Sequence, residues 1–205
     1  MYIPKVFKNE DEKEILEFIK NNSFAILIAQ GQNKILASHI PLELSVDKTA
    51  NRILTGHVSR ANEVWRDFKN TTEVLVIFSG THSYISSSWY DHENVPTWNY
   101  IAVHVYGSIK IIEGQELLDS LKSLVDKYEQ KSACPVSVDS MTPEFINREI
   151  KGIVGFEILI TDIQAAYKLS QNRDEKNYSN IVNELTKTDN DNSKEVAKEM
   201  IKRKE

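Results

Sequence analysis

Two short segments concentrate the residue types that could do chemistry. The first is Gly80-Thr-His-Ser-Tyr-Ile-Ser-Ser-Ser-Trp-Tyr90, followed shortly by Val95-Pro-Thr-Trp-Asn-Tyr-Ile-Ala-Val-His104. A strand that only had to bury one face would alternate aliphatic with charged residues. This run instead sets flat rings beside imidazoles and hydroxyls, which suits a planar polar ligand such as a flavin. A sheet edge whose Tyr and Trp tips reach water is the plainer alternative. The second segment, Thr55-Gly-His-Val-Ser-Arg-Ala-Asn62, is the best candidate for holding a phosphate. A strand ends there, Gly56 and Ser59 allow a close turn, and a following helix would present free N–H groups to an anion. Arg60 adds a forked guanidinium, with Ser59, Asn62 and His57 as further donors. A capped helix with a surface arginine would look the same in sequence. Ser38 and His39, on a preceding strand, could lay backbone groups along the edge of a heterocycle.

Other chemistries find less support. All five histidines fall between His39 and His104, which raises a metal or haem site, yet no pair has helical spacing or an HExxH pattern. His92, among Asp91, Glu93 and Asn94, reads as a solvated loop residue. Ser86, Ser87 and Ser88 do not form a GxSxG elbow, and no nucleophile–base series can be assigned. Neither a GxGxxG dinucleotide turn nor a GxxxxGK[ST] loop is present.

Elements able to position these residues follow from patterning. Asn9 or Asp11 caps a first helix to about Lys20, with Ile15, Leu16 and Ile19 on one face. Strands are expected at Phe24–Ala29, Lys34–Pro41, Arg52–Val58 and Glu73–Phe78, with Pro41 ending its strand or placing it at an edge. Ser59 would cap a short helix over Asn62–Phe68, with Trp65 and Phe68 inward. Trp98–Ile112 alternates as one long strand, Ile101, Val103 and Val105 on one side and Tyr100, Ala102, His104 and Tyr106 on the other. Gly114 breaks it. Gln115–Glu129 is an amphipathic helix through Leu117, Leu118, Leu121, Leu124, Val125 and Tyr128. Pro143–Ile150 is a short helix, and Gly152–Ile160 and Ile163–Leu169 read as two more strands. Clustered helices without βαβ alternation argue for an α+β protein, mainly antiparallel β, as a sheet or barrel with helices at its ends. Beyond Ser170 the chain turns polar. Residues 174–205 form a helical extension to a main domain of residues 1–173, its first helix loosely docked and its second frayed.

A chain of 205 residues is long enough for one sizeable core, or at a stretch two small ones. Its net charge of −5 argues against a surface built mainly for nucleic acid phosphates. No helix-turn-helix with a basic recognition helix is evident. The lone Cys134 excludes an internal disulfide and fits a reducing cytoplasm. No apolar signal core opens the chain, and no run approaches the roughly 20 apolar residues of a membrane span.

Several motifs in order resemble the PaiB family, described as FMN-binding negative transcriptional regulators. They are Met1-Tyr-Ile-Pro-Lys5, Ala37-Ser-His-Ile-Pro-Leu42, Gly56–Asn62, Ser83–Tyr90, Val95–His104, Ile153-Val-Gly-Phe-Glu-Ile158 and Lys168-Leu-Ser-Gln-Asn-Arg173. The resemblance implies an FMN-binding split β-barrel of the pyridoxamine-phosphate-oxidase type, a homodimer with flavin at the subunit interface. In that wider fold a Ser-Arg-Lys run after the third barrel strand holds the phosphate. The matching run here is Ser59-Arg60-Ala61, which keeps the serine and arginine and lacks the lysine. Thr81 and Ser87 stand where relatives often show proline. The residues expected to hold FMN are Ser38, His39, Thr55, His57, Ser59, Arg60, Asn62, His82 and Trp98. The implied role is negative regulation of transcription, directly on DNA or through a regulatory protein partner. A flavin-dependent oxidoreductase is the alternative, and a haem-binding or haem-degrading split barrel a more distant one.

Overall fold

The structure is a computed structural model, and it describes residues 1–68 and 73–204. Residue 205 of the expected C-terminal extension lies outside the described residues. Among the described residues eight strands form one sheet: β1 (Lys8–Asn9), β2 (Phe24–Gln30), β3 (Ile35–Pro41), β4 (Glu43–Val46), β5 (Arg52–Ser59), β6 (Glu73–Ile85), β7 (Thr97–Ile112) and β8 (Ile153–Lys168). Their order is β3-β2-β6-β7-β8-β5-β4, with β1 paired to β8. Pairing is antiparallel for β2 with β3 and β6, and for β5 with β4 and β8. Five α-helices accompany the strands: α1 (Glu12–Asn21), α2 (Gly114–Glu129), α3 (Pro143–Ile150), α4 (Glu175–Lys187) and α5 (Asp191–Lys202). The chain forms two compact units, and β6, β7 and β8 each contribute a segment to both.

The larger unit holds residues 19–77 and 105–163. Strict alternation builds its core: Ala25, Leu27 and Ala29 are buried on β2, and Val74 and Val76 on β6. Phe156 of β8 meets Phe68 edge-on, with ring centroids 5.5 Å apart. Gly56 sits mid-strand on β5, where a Cβ would come within 2.6 Å of Leu42 Cδ2 and 3.2 Å of Phe156 Cζ. The glycine expected to ease a turn is therefore required for packing. Gly114, at φ +58°, turns the chain out of β7 into α2 in a region that favours glycine. Only Leu117 of the apolar stripe on α2 is fully buried; Leu118, Leu121, Leu124 and Val125 are half-covered and Tyr128 is exposed.

The smaller unit comprises residues 1–18, 78–104 and those from Gln164 on. Asp11 caps α1, its Oδ1 accepting from the Glu14 N–H at 3.0 Å. Its core gathers Phe78, Ile85, Val103, Tyr167, Leu169 and the inner faces of α4 and α5. The last helix is packed rather than frayed. Val196, Ala197 and Met200 are buried, Tyr178 Oη donates to the Met200 carbonyl at 2.6 Å, and Arg203 Nη2 bonds both Glu14 carboxylate oxygens at 3.0 Å. Asn190 caps that helix through Ser193 N–H at 3.1 Å. Thr81, where a proline would leave no hydroxyl, donates to the Asn192 carbonyl at 2.6 Å.

Two further expectations are corrected. The strands read separately at Gly152–Ile160 and Ile163–Leu169 are one sixteen-residue strand, β8, which passes through the exposed Thr161 and Asp162 without breaking. The strand ending at Phe78 instead continues to Ile85, so the first half of the aromatic segment is strand.

Candidate functional site

In the larger unit, β5 delivers Thr55, His57 and Ser59 at alternate positions, with Leu54, Gly56 and Val58 buried between them. After β5 the chain makes a single five-residue 3₁₀ turn, Glu63–Asp67, in place of the expected α-helix. Its cap is Asn62, not Ser59: Asn62 Oδ1 accepts from Val64 N–H at 3.0 Å. So short a turn has little dipole or free N–H array to offer a phosphate. Asn62 also donates from Nδ2 to Ser38 Oγ at 2.9 Å, which ties β3 to this turn. His39 points to the opposite face of β3, exposed, its ring 6.3 Å from that of Phe24. Ser59 Oγ is exposed and accepts from the Ala61 N–H at 3.3 Å.

Arg60 is the pivot of the group. Its Nε donates to the Lys151 carbonyl at 2.8 Å and its Nη2 to the Ile153 carbonyl at 2.9 Å. The guanidinium carbon lies 5.7 Å from the Trp65 ring, whose Nε1 donates back to the Arg60 carbonyl at 3.0 Å. Main-chain oxygens fix the fork without cancelling its charge, and no carboxylate pairs with it among the described residues. Beside it opens a cleft of about 590 Å³, walled by Ile112, Leu117 and Val154 with Trp65 and Glu113 at its margins. A cation held at the end of an apolar cleft next to an indole face fits a ring system that carries a phosphate. These residues therefore fit a flavin that carries a phosphate.

The remaining residues divide. Burial holds the His57 imidazole below its usual range, so it is neutral at pH 7 and can donate or accept one hydrogen bond. Thr55 lines a different cleft, of about 470 Å³, among Glu43, Asp47, Glu116, Asp119 and Glu157. That acid-rich setting opposes an anion, and the structure does not bring Thr55 together with Arg60. In the smaller unit, His82 and Trp98 meet across β6 and β7 at 6.1 Å between centroids, joined by Tyr84 at 5.9 Å from Trp98. All three are exposed, Trp98 by 52%. Tyr84 was missed as a third member, although its place two residues beyond His82 on one strand gave the signal. His104 is half-buried, its Nδ1 without a hydrogen-bond partner among the described residues, and burial lowers its pKa.

Comparison with known proteins places the chain. The family model described as "Putative FMN-binding domain" matches residues 1–162. "Protease synthase and sporulation protein PAI 2" of Bacillus subtilis is 46% identical over 200 residues, covering 98% of this chain and 96% of that protein. An uncharacterized protein of Saccharomyces cerevisiae is 34% identical over 116 residues, 53% of this chain and 69% of its own. Among solved structures, the FAD and heme binding protein from Mycobacterium smegmatis superposes with a TM-score of 0.60 at 12% identity, covering 78% of this chain and 73% of that one. The flavocytochrome Anf3 from Azotobacter vinelandii gives 0.59 at 13%, covering 87% and 78%. Those structural likenesses show the fold, an α+β split β-barrel. With a family model over residues 1–162 and a near full-length relative, the chain belongs to the PaiB family and carries its FMN-binding domain.

Proposed function

We propose that the protein is a cytoplasmic homodimer that holds FMN in the cleft beside Arg60 and acts as a negative regulator of transcription. The observation that carries the binding half is the Arg60 guanidinium, anchored on the carbonyls of Lys151 and Ile153, in no ion pair with a carboxylate among the described residues, and lining a mainly apolar cleft. When bound, the flavin supplies redox chemistry, and the protein's part is to fix, orient and desolvate it. Ser38 and Asn62 brace the turn that carries Arg60. Support for the regulatory half is the near full-length relationship to a protein named for protease synthesis and sporulation. With a net charge of −5, regulation through a protein partner is favoured over direct operator binding. No helix among the described residues is long and apolar enough to cross a membrane.

The binding half is tested by FMN titration of the purified protein. FMN at a hundred times its dissociation constant should stabilise by about 2.7 kcal/mol, and Arg60→Met should remove most of that gain. No thermal shift and no change in flavin absorbance or fluorescence would end the proposal. Sedimentation tests the dimer, and transcript levels in a strain lacking the gene test the regulatory role. A gel shift that stays blank at low salt confines regulation to a partner.

A further inference from the structure

The motif Lys168–Arg173 is left unused by the site around Arg60, and it contains two cations that the smaller unit leaves without counter-charge. Lys168, half-buried at the end of β8, donates from Nζ to Thr97 Oγ1 at 2.5 Å and lies 6.0 Å over the Phe7 ring. Arg173, also half-buried, stacks its guanidinium 5.0 Å over the buried Tyr90 ring. Neither pairs with a carboxylate among the described residues. Two acids close by in sequence are committed elsewhere. Asp91 holds Lys176 at 2.8 Å, His92 and Asn177, while Asp174 caps α4. The two cations feel each other: burial first, and then the Arg173 charge, hold the Lys168 ammonium below its usual range.

Loop 90–96 adds a second observation. Tyr90 is 8% exposed, and its hydroxyl has no hydrogen-bond partner among the described residues; nor has the buried Asn94 Nδ2. Buried donors and adjacent like charges each cost stability unless something accepts from them. A group with several acceptor oxygens and negative charge would relieve the two cations, one of which lies over the Tyr90 ring. A guanidinium fork, an ammonium and a threonine hydroxyl form a donor set that suits a tetrahedral phosphate better than a single carboxylate.

We propose that Lys168, Arg173 and Thr97 form an anion site, separate in composition from the Arg60 cluster, that takes the phosphate of a small phosphorylated molecule. The phosphate could be that of FMN itself or of a second ligand, and the experiment distinguishes the two.

Inorganic phosphate is titrated against the full chain at constant ionic strength with thermal unfolding as readout, for wild type, Lys168→Met, Arg173→Met and Arg60→Met. Lys168→Met keeps an apolar stem and removes one of two repelling charges, which offsets the lost bond to Thr97, so it should still fold without phosphate. The proposal expects a saturable phosphate shift that survives in Arg60→Met and that Lys168→Met and Arg173→Met reduce; should Arg173→Met fail to fold, Lys168→Met decides alone. FMN and riboflavin are then compared. If the FMN phosphate seats here, Lys168→Met erases the affinity advantage of FMN over riboflavin. If a second ligand does, that advantage survives in Lys168→Met, and phosphate still shifts FMN-saturated wild type. A phosphate shift that persists in Lys168→Met while Arg60→Met removes it would overturn the assignment. So would wild type with neither a phosphate shift nor a preference for FMN over riboflavin, which would leave Lys168 and Arg173 as packing residues only.

Discussion

Replacing Asn62 with alanine tests how the turn carrying Arg60 is held. Two losses follow from the geometry. The cap bond from Val64 N–H to Asn62 Oδ1, 3.0 Å long, disappears, at a cost of about 1 kcal/mol. Ser38, only 9% exposed, loses the amide that donates to its Oγ at 2.9 Å, which adds about 1 kcal/mol for a poorly satisfied buried hydroxyl. Together the loss is about 2 kcal/mol, which for a chain of this size lowers the melting temperature by about 4–8 °C. The measurement is thermal or urea unfolding of FMN-free protein, with Asn62→Asp and Ser38→Ala as companions. Asn62→Asp keeps the cap oxygen and can accept from the serine hydroxyl, so it should lose less than half as much. The double variant Ser38→Ala/Asn62→Ala should cost less than the sum of the singles, because they share one bond. A melting point for Asn62→Ala within about 1 °C of wild type, or strict additivity in the pair, would refute the brace.

Other perturbations follow from the same structure. Gly56→Ala drives a methyl into Leu42 and Phe156 and should cost about 1–3 kcal/mol by urea unfolding, although glycine-to-alanine mid-strand is otherwise mild. Tyr178→Phe leaves the buried Met200 carbonyl without its donor and should cost about 1–2 kcal/mol, with hydrogen exchange in α5 rising first. His57 has a depressed folded pKa, so the unfolded chain takes up its proton first as the solution is acidified. Stability should therefore fall as pH drops below the ordinary histidine value of about 6.5, until the folded pKa is passed. His57→Gln should flatten that slope between pH 7.5 and about 5 in thermal melts, and an unchanged slope would count against burial of the imidazole.

Much of the sheet could be read directly from residue order. The alternation of Ile101, Val103 and Val105 with Tyr100, Ala102, His104 and Tyr106 gave β7 and its buried face, and Asp11 gave the start of α1. Continuity of strands was less visible. Thr161 and Asp162 look like a turn because both are polar, yet in an exposed part of a strand polarity costs nothing. The extension of β6 to Ile85 was hidden because Ser, His and Tyr replace the usual aliphatic alternation. The four residues of β4, wedged between Pro41 and the Asp47 loop, are too few to show a period. At the candidate site, Ser38, Asn62 and Arg60 stood out as polar residues of two motifs, whereas the Ser38–Asn62 bond itself depends on the fold. Three further features depend on tertiary surroundings and were not legible. They are the acids that surround Thr55, the 3₁₀ form of the turn, and the isolation of Lys168 and Arg173 from carboxylates.

The division of the chain between its units has a consequence for biosynthesis. Every residue of the larger unit has been translated once residue 163 is added, whereas the smaller one needs residues 164–204 as well. At about 5–20 residues per second, the ribosome spends about 2–8 s on that stretch. As that interval opens the nascent chain carries Phe78, Ile85 and Val103; Tyr167 and Leu169 follow within a few residues, but Ile181 comes only midway and Met200 near the end. Aliphatic and aromatic surface is thus left uncovered on a growing polypeptide, the condition under which chaperones engage.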